Sequence, residues 1–168
     1  MTETIVYEST TGHVLGALST PGAGAVPAVA DLVGDGLPAW AGVDVTVPAE
    51  RLLAATAAPE PGLLAAPLRY GVETVGGVPR SQLLRLSTWG SGGVTLDGNG
   101  VTITLPADVP DATPVLVVVA GEDGPVALLP AQMKGRSLNL RLSLSTGAYG
   151  VLTLVTGYEG RLDQLAAR

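Results

Sequence analysis

The sequence is marked by stretches in which aliphatic and polar residues alternate one by one. The clearest cover residues 43–47, 101–105 and 138–144, with Val, Ile or Leu at every second position. Successive side chains of a β-strand point to opposite faces of a sheet, so this period places the aliphatic side chains on one face. The first two stretches end at Pro48 and Pro106, which cannot donate a ladder hydrogen bond. The alternation therefore predicts β-strands with one buried face.

Residues typical of tight turns separate several of the predicted strands. Asp97-Gly98-Asn99-Gly100 supplies the positive φ values that a hairpin turn requires. The uninterrupted apolar run 115–120 is typical of a strand covered on both faces. Three hairpins are predicted, joining 93–96 to 101–105, 115–120 to 126–129, and 4–7 to 14–18. A further strand is predicted over 149–156.

Helical signals are few. Residues 48–58 are rich in Ala and Leu and begin with a proline, which predicts a helix. A short helix within 25–33 and a terminal helix over 159–168 are also predicted. The fold class predicted is mainly β, an antiparallel sandwich or barrel of hairpins with one or two short helices.

Two pairs of segments resemble each other within the chain. Residues 42–50 resemble 100–108, and residues 18–26 resemble 86–94. In each copy, a strand is followed by a Gly-rich turn and then by a second strand. One interpretation is duplication, in which the single β-rich domain 1–168 consists of two similar β-units, 1–66 and 67–168. The other is chance, because Leu, Ser, Thr, Gly and Val are common in hairpins of any origin.

The composition is unusually apolar for a chain of 168 residues. Hydrophobic residues make up 46 % and charged residues 14 %, yet aromatic residues are only 4 % and Phe is absent. Small β-units with few aromatic side chains have thin cores, so we expect copies of the chain to cover one another. The longest strongly apolar stretch, 115–120, falls far short of the roughly 20 residues that span a bilayer, and no membrane segment is predicted.

The net charge of −6 arises in the first 50 residues, which hold six acidic residues and no basic one. Nucleic acids and anionic membranes both require clustered Lys and Arg, so neither is predicted as a partner. Residues 134–141 carry Lys134, Arg136 and Arg141 without an acid, and form the natural complement of an acidic face. The alternative is that the acidic flank only aids solubility.

No constellation of catalytic or metal-binding residues stands out. The chain has no Cys and a single histidine, His13, which cannot assemble the three or four ligands of a zinc site. No Gly-x-Ser-x-Gly motif offers a nucleophile for His13. Residues 90–93 are Gly-rich but precede a strand, whereas a phosphate loop precedes a helix. The sequence therefore predicts no enzyme, no metal and no cofactor.

Trp40 and Trp89 are the two tryptophans of the chain. Tryptophan is enriched among buried interface anchors, so both are interface candidates together with the three bases of 134–141. These features predict a non-enzymatic structural subunit that self-associates or docks into a larger protein assembly. The alternative is a small-ligand or carbohydrate-binding β-module with the two Trp-bearing loops as walls.

The opening hairpin adds a family resemblance. Residues 5–16 contain the pattern Tyr-x-x-x-Thr-Gly-x-Val-Leu, starting at Tyr7. This stretch resembles the hairpins that open small structural proteins of phage tails and related contractile injection particles. The resemblance implies a particle component that is made in the cytoplasm and docks on copies of itself or on other tail proteins.

Overall fold

A computed structural model describes residues 2–22, 24–75 and 78–168 of the chain. Its β-sheets are antiparallel and its helices are short, which confirms the predicted fold class. The strands are β1 (Thr2–Glu8), β2 (Val14–Thr20), β3 (Gly36–Trp40), β4 (Asp44–Pro48), β5 (Leu52–Ala57), β6 (Tyr70–Val75), β7 (Val78–Arg85), β8 (Gly93–Asp97), β9 (Gly100–Gly121), β10 (Gly124–Arg141), β11 (Gly147–Val155) and β12 (Arg161–Ala167). The α-helix is α1 (Val29–Val33), and 3₁₀ turns cover Ala49–Arg51 and Pro67–Arg69.

The chain divides into two compact units, each built from separate segments. Unit 1 comprises Met1–Leu37, Val47–Ser87 and Gly157–Glu159. Unit 2 comprises Pro38–Thr46, Thr88–Thr156 and Gly160–Arg168. Both units draw on residues from before and after residue 66. The similarity of 1–66 to 67–168 stays a prediction.

Unit 1 is organised around β1. This strand pairs antiparallel with β2 on one side and with β5 on the other, and residues Glu3–Glu8 are all buried. The separate pair β6–β7 also belongs to this unit. Its apolar core contains Ile5, Tyr7, Val14, Ala57, Leu63, Tyr70 and Val72.

Unit 2 is built on the sheet of β8 to β12. The first part of β9 lies between β8 and β10, and its last part lies between β10 and β11, with β12 beyond. The sheet curls, so that β12 comes to lie near β8. Residues 115–120 are all buried, which confirms the prediction that this strand is covered on both faces.

The predicted hairpins are confirmed. β1 pairs with β2, β8 with β9, and β9 with β10, each antiparallel. At the β8–β9 turn, Asp97 Oδ1 accepts hydrogen bonds from the backbone N–H groups of Asn99 (2.7 Å) and Gly100 (3.1 Å). The predicted strand 138–144 is correct only to Arg141, because Leu142 and Leu144 donate to carbonyls of the turn at Asn99 and Gly98 instead.

Two predicted helices are wrong. Residues 48–58 form a 3₁₀ turn followed by β5, and residues 161–167 form β12. In both places the backbone groups pair with a neighbouring strand, β5 with β1 and β12 with β11. Helix propensity amounts to a few tenths of a kcal/mol per residue, and tertiary pairing overrides it.

The third predicted helix is correct in part. Of residues 25–33, only Val29–Val33 are helical, since Ala28 is extended and Gly34 ends the helix at a φ of 61°. Pro27 also disfavours the helical conformation in the residue before it, Val26. Within the described residues, no helix has the length and the apolar character needed to cross a bilayer.

Gly150 allows β11 to pack closely against residues 41–45 within unit 2. A Cβ at this position would lie 2.6 Å from Cγ2 of Val45 and 2.8 Å from Cγ2 of Val43. Both valines are buried, so they have little room to move. We expect Gly150→Ala to lower the free energy of unfolding by about 1–3 kcal/mol because of this overpacking.

Urea denaturation of Gly150→Ala beside Gly93→Ala checks this expectation. Gly93 lies in β8 of the same sheet, and a Cβ there meets nothing within 4 Å. Alanine at that position is expected to be neutral or to stabilise, since glycine in a strand costs roughly 0.5–1 kcal/mol relative to alanine. Equal denaturation midpoints for the two variants would contradict the packing at Gly150.

Candidate functional site

Unit 1 contains a buried polar network centred on Glu8, the last residue of β1. The Glu8 carboxylate is completely buried. Its Oε2 accepts hydrogen bonds from the backbone N–H of Thr10 (3.0 Å) and of Thr11 (2.6 Å). Its Oε1 accepts from Nη2 (2.9 Å) and Nε (3.2 Å) of Arg51. These contacts satisfy a charge that would otherwise be costly to bury.

The network continues to His13, which is also completely buried. His13 Nε2 lies 2.7 Å from the carbonyl oxygen of Tyr158, and Nδ1 lies 2.9 Å from Oγ1 of Thr11. A carbonyl only accepts, so a neutral ring carries its proton on Nε2. The Thr11 hydroxyl lies 2.8 Å from Glu8 Oε2 as well, and its single proton can serve either Nδ1 or the carboxylate.

Burial lowers the pKa of His13 to about 4, against the opposing effects of the Tyr158 carbonyl and the Glu8 charge. The ring is therefore neutral near pH 7. The hydrogen bonds of this network hold the turn between β1 and β2 in place. Glu8 and His13 are both completely buried, so the network is not open to a substrate.

Unit 2 carries a different kind of site, an exposed tryptophan beside carboxylates. Trp40, the last residue of β3, is 69 % exposed. It lines a cleft of about 270 Å³ together with Asp44 and Glu122. A neighbouring cleft of about 400 Å³ shares Glu122 and adds Asp123. We call Trp40, Asp44, Glu122 and Asp123 the Trp40 surface.

The Trp40 surface is acidic. Asp44, Glu122 and Asp123 are all exposed, and neither cleft is lined by a lysine or an arginine. Val126, another exposed apolar residue, lines the second cleft. The surface thus combines an apolar centre with carboxylates around it, which is how protein interfaces and sugar sites are commonly built.

Trp89 differs from Trp40 in its surroundings. It is 6 % exposed, and Cζ of Arg161 lies 5.3 Å from the centroid of its ring. Arg161 also donates to Asp163 from Nε (3.0 Å) and Nη2 (3.1 Å). Trp89 therefore lies in the interior of unit 2, whereas Trp40 is open to solvent.

The three candidate bases lie on β10. Lys134 forms an exposed ion pair with Asp111 at 3.2 Å. The Nε of Arg136 lies 3.5 Å from the carbonyl oxygen of Leu105, at the limit of a hydrogen bond. Arg141, exposed at the end of β10, lines a further cleft with Asn99 and Asn139.

Trp40 is predicted from the sequence as an interface candidate, but its acidic neighbours are not. Asp44 belongs to an alternating strand and Glu122 to a hairpin turn, and only the fold brings them to one cleft. The pair of Glu8 and Arg51 is not predicted either, because the sequence carries no local signal for it. No family model, curated protein or solved structure matches this chain.

Proposed function

We propose that this chain is a non-enzymatic structural subunit that associates with copies of itself in a larger protein assembly. The observation that carries the proposal is the 69 % exposure of Trp40. The chain has two tryptophans and no phenylalanine, so one of its largest apolar side chains is left in water. Covering such a side chain gains about 1.5–3 kcal/mol, and tryptophan is among the commonest interface anchors.

The free edge of β10 supports the same proposal. β10 pairs with β9, and no second strand within the described residues pairs with its other side. A long unpaired edge is a template for another chain. Pro125 and Pro130 remove two donors from β10, which limits strand addition there and favours association through side chains.

The particle to which the subunit would belong is suggested by residues 5–16. Their resemblance to the opening hairpins of phage-tail and contractile-injection proteins favours a phage-tail-like particle assembled in the cytoplasm. The structure places these residues in the β1–β2 hairpin, with Glu8 and His13 in the turn network.

Sedimentation of the purified chain at micromolar concentration tests self-association. We expect a discrete multimer, and we expect Trp40→Ala to shift the mass towards the monomer. Leu64→Ala is the matched control, since Leu64 is also exposed but lies in unit 1. A monomer at all concentrations, or an equal effect of both substitutions, would contradict the proposed role of Trp40.

A carbohydrate-binding module is the second candidate, and the Trp40 surface favours it as well. An indole face stacks on a sugar ring, and Asp44 and Glu122 could accept hydrogen bonds from its hydroxyls. Fluorescence titration with a saccharide panel separates the two functions. A response that is lost in Trp40→Ala, with the chain remaining monomeric, would support the binding module.

A further inference from the structure

We propose that the Trp40 surface of one copy binds the basic stretch of β10, Lys134, Arg136 and Arg141, of a second copy. This inference rests on the proposed self-association and names the surfaces that carry it.

The chemistry of the Trp40 surface fits an arginine side chain. A guanidinium is attracted to the face of an indole ring and pairs with carboxylates through parallel hydrogen bonds. The chain already contains this arrangement in unit 2. Arg161 lies over Trp89 and pairs with Asp163 through two hydrogen bonds. Trp40 with Asp44 and Glu122 offers the same combination of ring and carboxylates with no arginine in it.

The acidic members of the surface have no ion-pair partner within the described residues. The ion pairs formed there involve Glu8, Glu159, Asp111 and Asp163, but not Asp44, Glu122 or Asp123. All three carboxylates are exposed and negatively charged, so they repel one another when no partner is bound. A basic partner segment would remove this repulsion.

The basic stretch supplies that segment. It holds three of the nine Lys and Arg residues of the chain and no acid. Neither Arg136 nor Arg141 takes part in an ion pair within the described residues, and Lys134 holds only an exposed one. Exposed pairs contribute about 0–1 kcal/mol, so exchanging Asp111 for another carboxylate costs little.

Arg136 cannot serve the Trp40 surface of its own molecule. β10 pairs regularly with β9 from Ala127 to Met133, and this extended stretch lies between Glu122 and Arg136. At a rise of about 3.3 Å per residue it separates them by about 20 Å, well beyond the reach of one side chain. A contact between Arg136 and the Trp40 surface therefore forms between copies, with each copy offering one acidic and one basic surface.

Charge reversal on the two surfaces tests the proposal. The first variant combines Asp44→Lys with Glu122→Lys, and the second combines Arg136→Glu with Arg141→Glu. We expect the wild-type chain to be a multimer and each variant alone to be monomeric. An equimolar mixture is expected to recover association, because the unchanged basic stretch of the first variant binds the unchanged Trp40 surface of the second, and the two reversed surfaces also carry opposite charges.

The matched control combines Glu50→Lys with Glu60→Lys. Both residues are exposed and lie in unit 1, away from the Trp40 surface and the basic stretch, and the net charge changes from −6 to −2 as in the first variant. This control is expected to keep the wild-type mass. Should charge reversal disturb the fold by circular dichroism, the milder Glu122→Gln and Arg141→Gln are expected to weaken association at least about 10-fold.

The outcomes separate this inference from the proposed function. A monomeric wild-type chain overturns both, and a saccharide response of that monomer at Trp40 assigns the surface to a carbohydrate. A multimeric wild-type chain whose two variants keep its mass overturns the inference alone. Loss of association in both variants without recovery in the mixture also overturns it, because the two surfaces then do not meet each other.

Discussion

Replacing Glu8 by alanine is expected to lower the free energy of unfolding by about 3–5 kcal/mol. Removing one partner of a buried ion pair leaves the other uncompensated, and losses of this size are typical. Here the substitution would leave Arg51, whose side chain is 21 % exposed, without the carboxylate it pairs with. The backbone N–H groups of Thr10 and Thr11 would lose the same hydrogen-bond acceptor. Partial access of water to Arg51 favours the lower end of the range. Domains are stable by only about 5–15 kcal/mol, so a large part of the total would be lost.

Chemical denaturation of Glu8→Ala beside Glu50→Ala measures this effect. Glu50 lies next to Arg51 in the 3₁₀ turn but is exposed, so its loss is expected to change the stability by no more than about 0.5 kcal/mol. A double-mutant cycle with Arg51→Ala gives the coupling between the two charges. Similar stabilities for Glu8→Ala and Glu50→Ala would show that the network contributes little.

The stability of the protein is expected to fall by about 3 kcal/mol as the pH is lowered from 6.5 to 4, through His13 alone. The folded protein keeps the pKa of His13 near 4, whereas the unfolded chain has the ordinary value of 6.5. Between these values the unfolded chain binds a proton that the folded protein does not, so stability decreases as the pH falls. From about pH 7.5 upward the ring is neutral in both states, and this contribution is constant.

His13→Gln separates this effect from the titration of carboxylates. A glutamine amide can donate to the Tyr158 carbonyl but does not titrate in this range. The variant is expected to be less stable at pH 7 and to lose less stability than the wild-type protein between pH 6.5 and 4. Parallel pH profiles for the two proteins would mean that His13 is not held neutral by burial.

The sequence predicts most of the strands because their signals are local. Residues 43–47 and 101–105 alternate strictly, and the turn at Asp97 carries its own backbone hydrogen bonds. Residues 52–57 carry a helical signal instead, because alanine and leucine favour a helix and alanine is depleted in strands. Their state is decided by the free edge of β1, a neighbour that is remote in the sequence.

Of the residues of the Trp40 surface, only Trp40 could be predicted from the sequence. Trp40 stands out in a chain with so few aromatic residues, but its exposure depends on the fold. Trp89 is an equally good interface candidate by sequence, yet it is buried, whereas Trp40 is exposed. The carboxylates of the Trp40 surface come from β4 and from the β9–β10 turn. No local sequence pattern indicates that these carboxylates, which are distant in the sequence, lie close together in the fold.

The interleaving of the two units has a consequence for how the chain is made. The ring of His13 is held by the carbonyl of Tyr158, which is synthesised 145 residues later. The first unit thus stays unfinished on the ribosome until Gly157–Glu159 have emerged, by which time most of the second unit is available to fold. A product that stops before Gly157 would therefore leave the first unit without the carbonyl that holds the ring of His13.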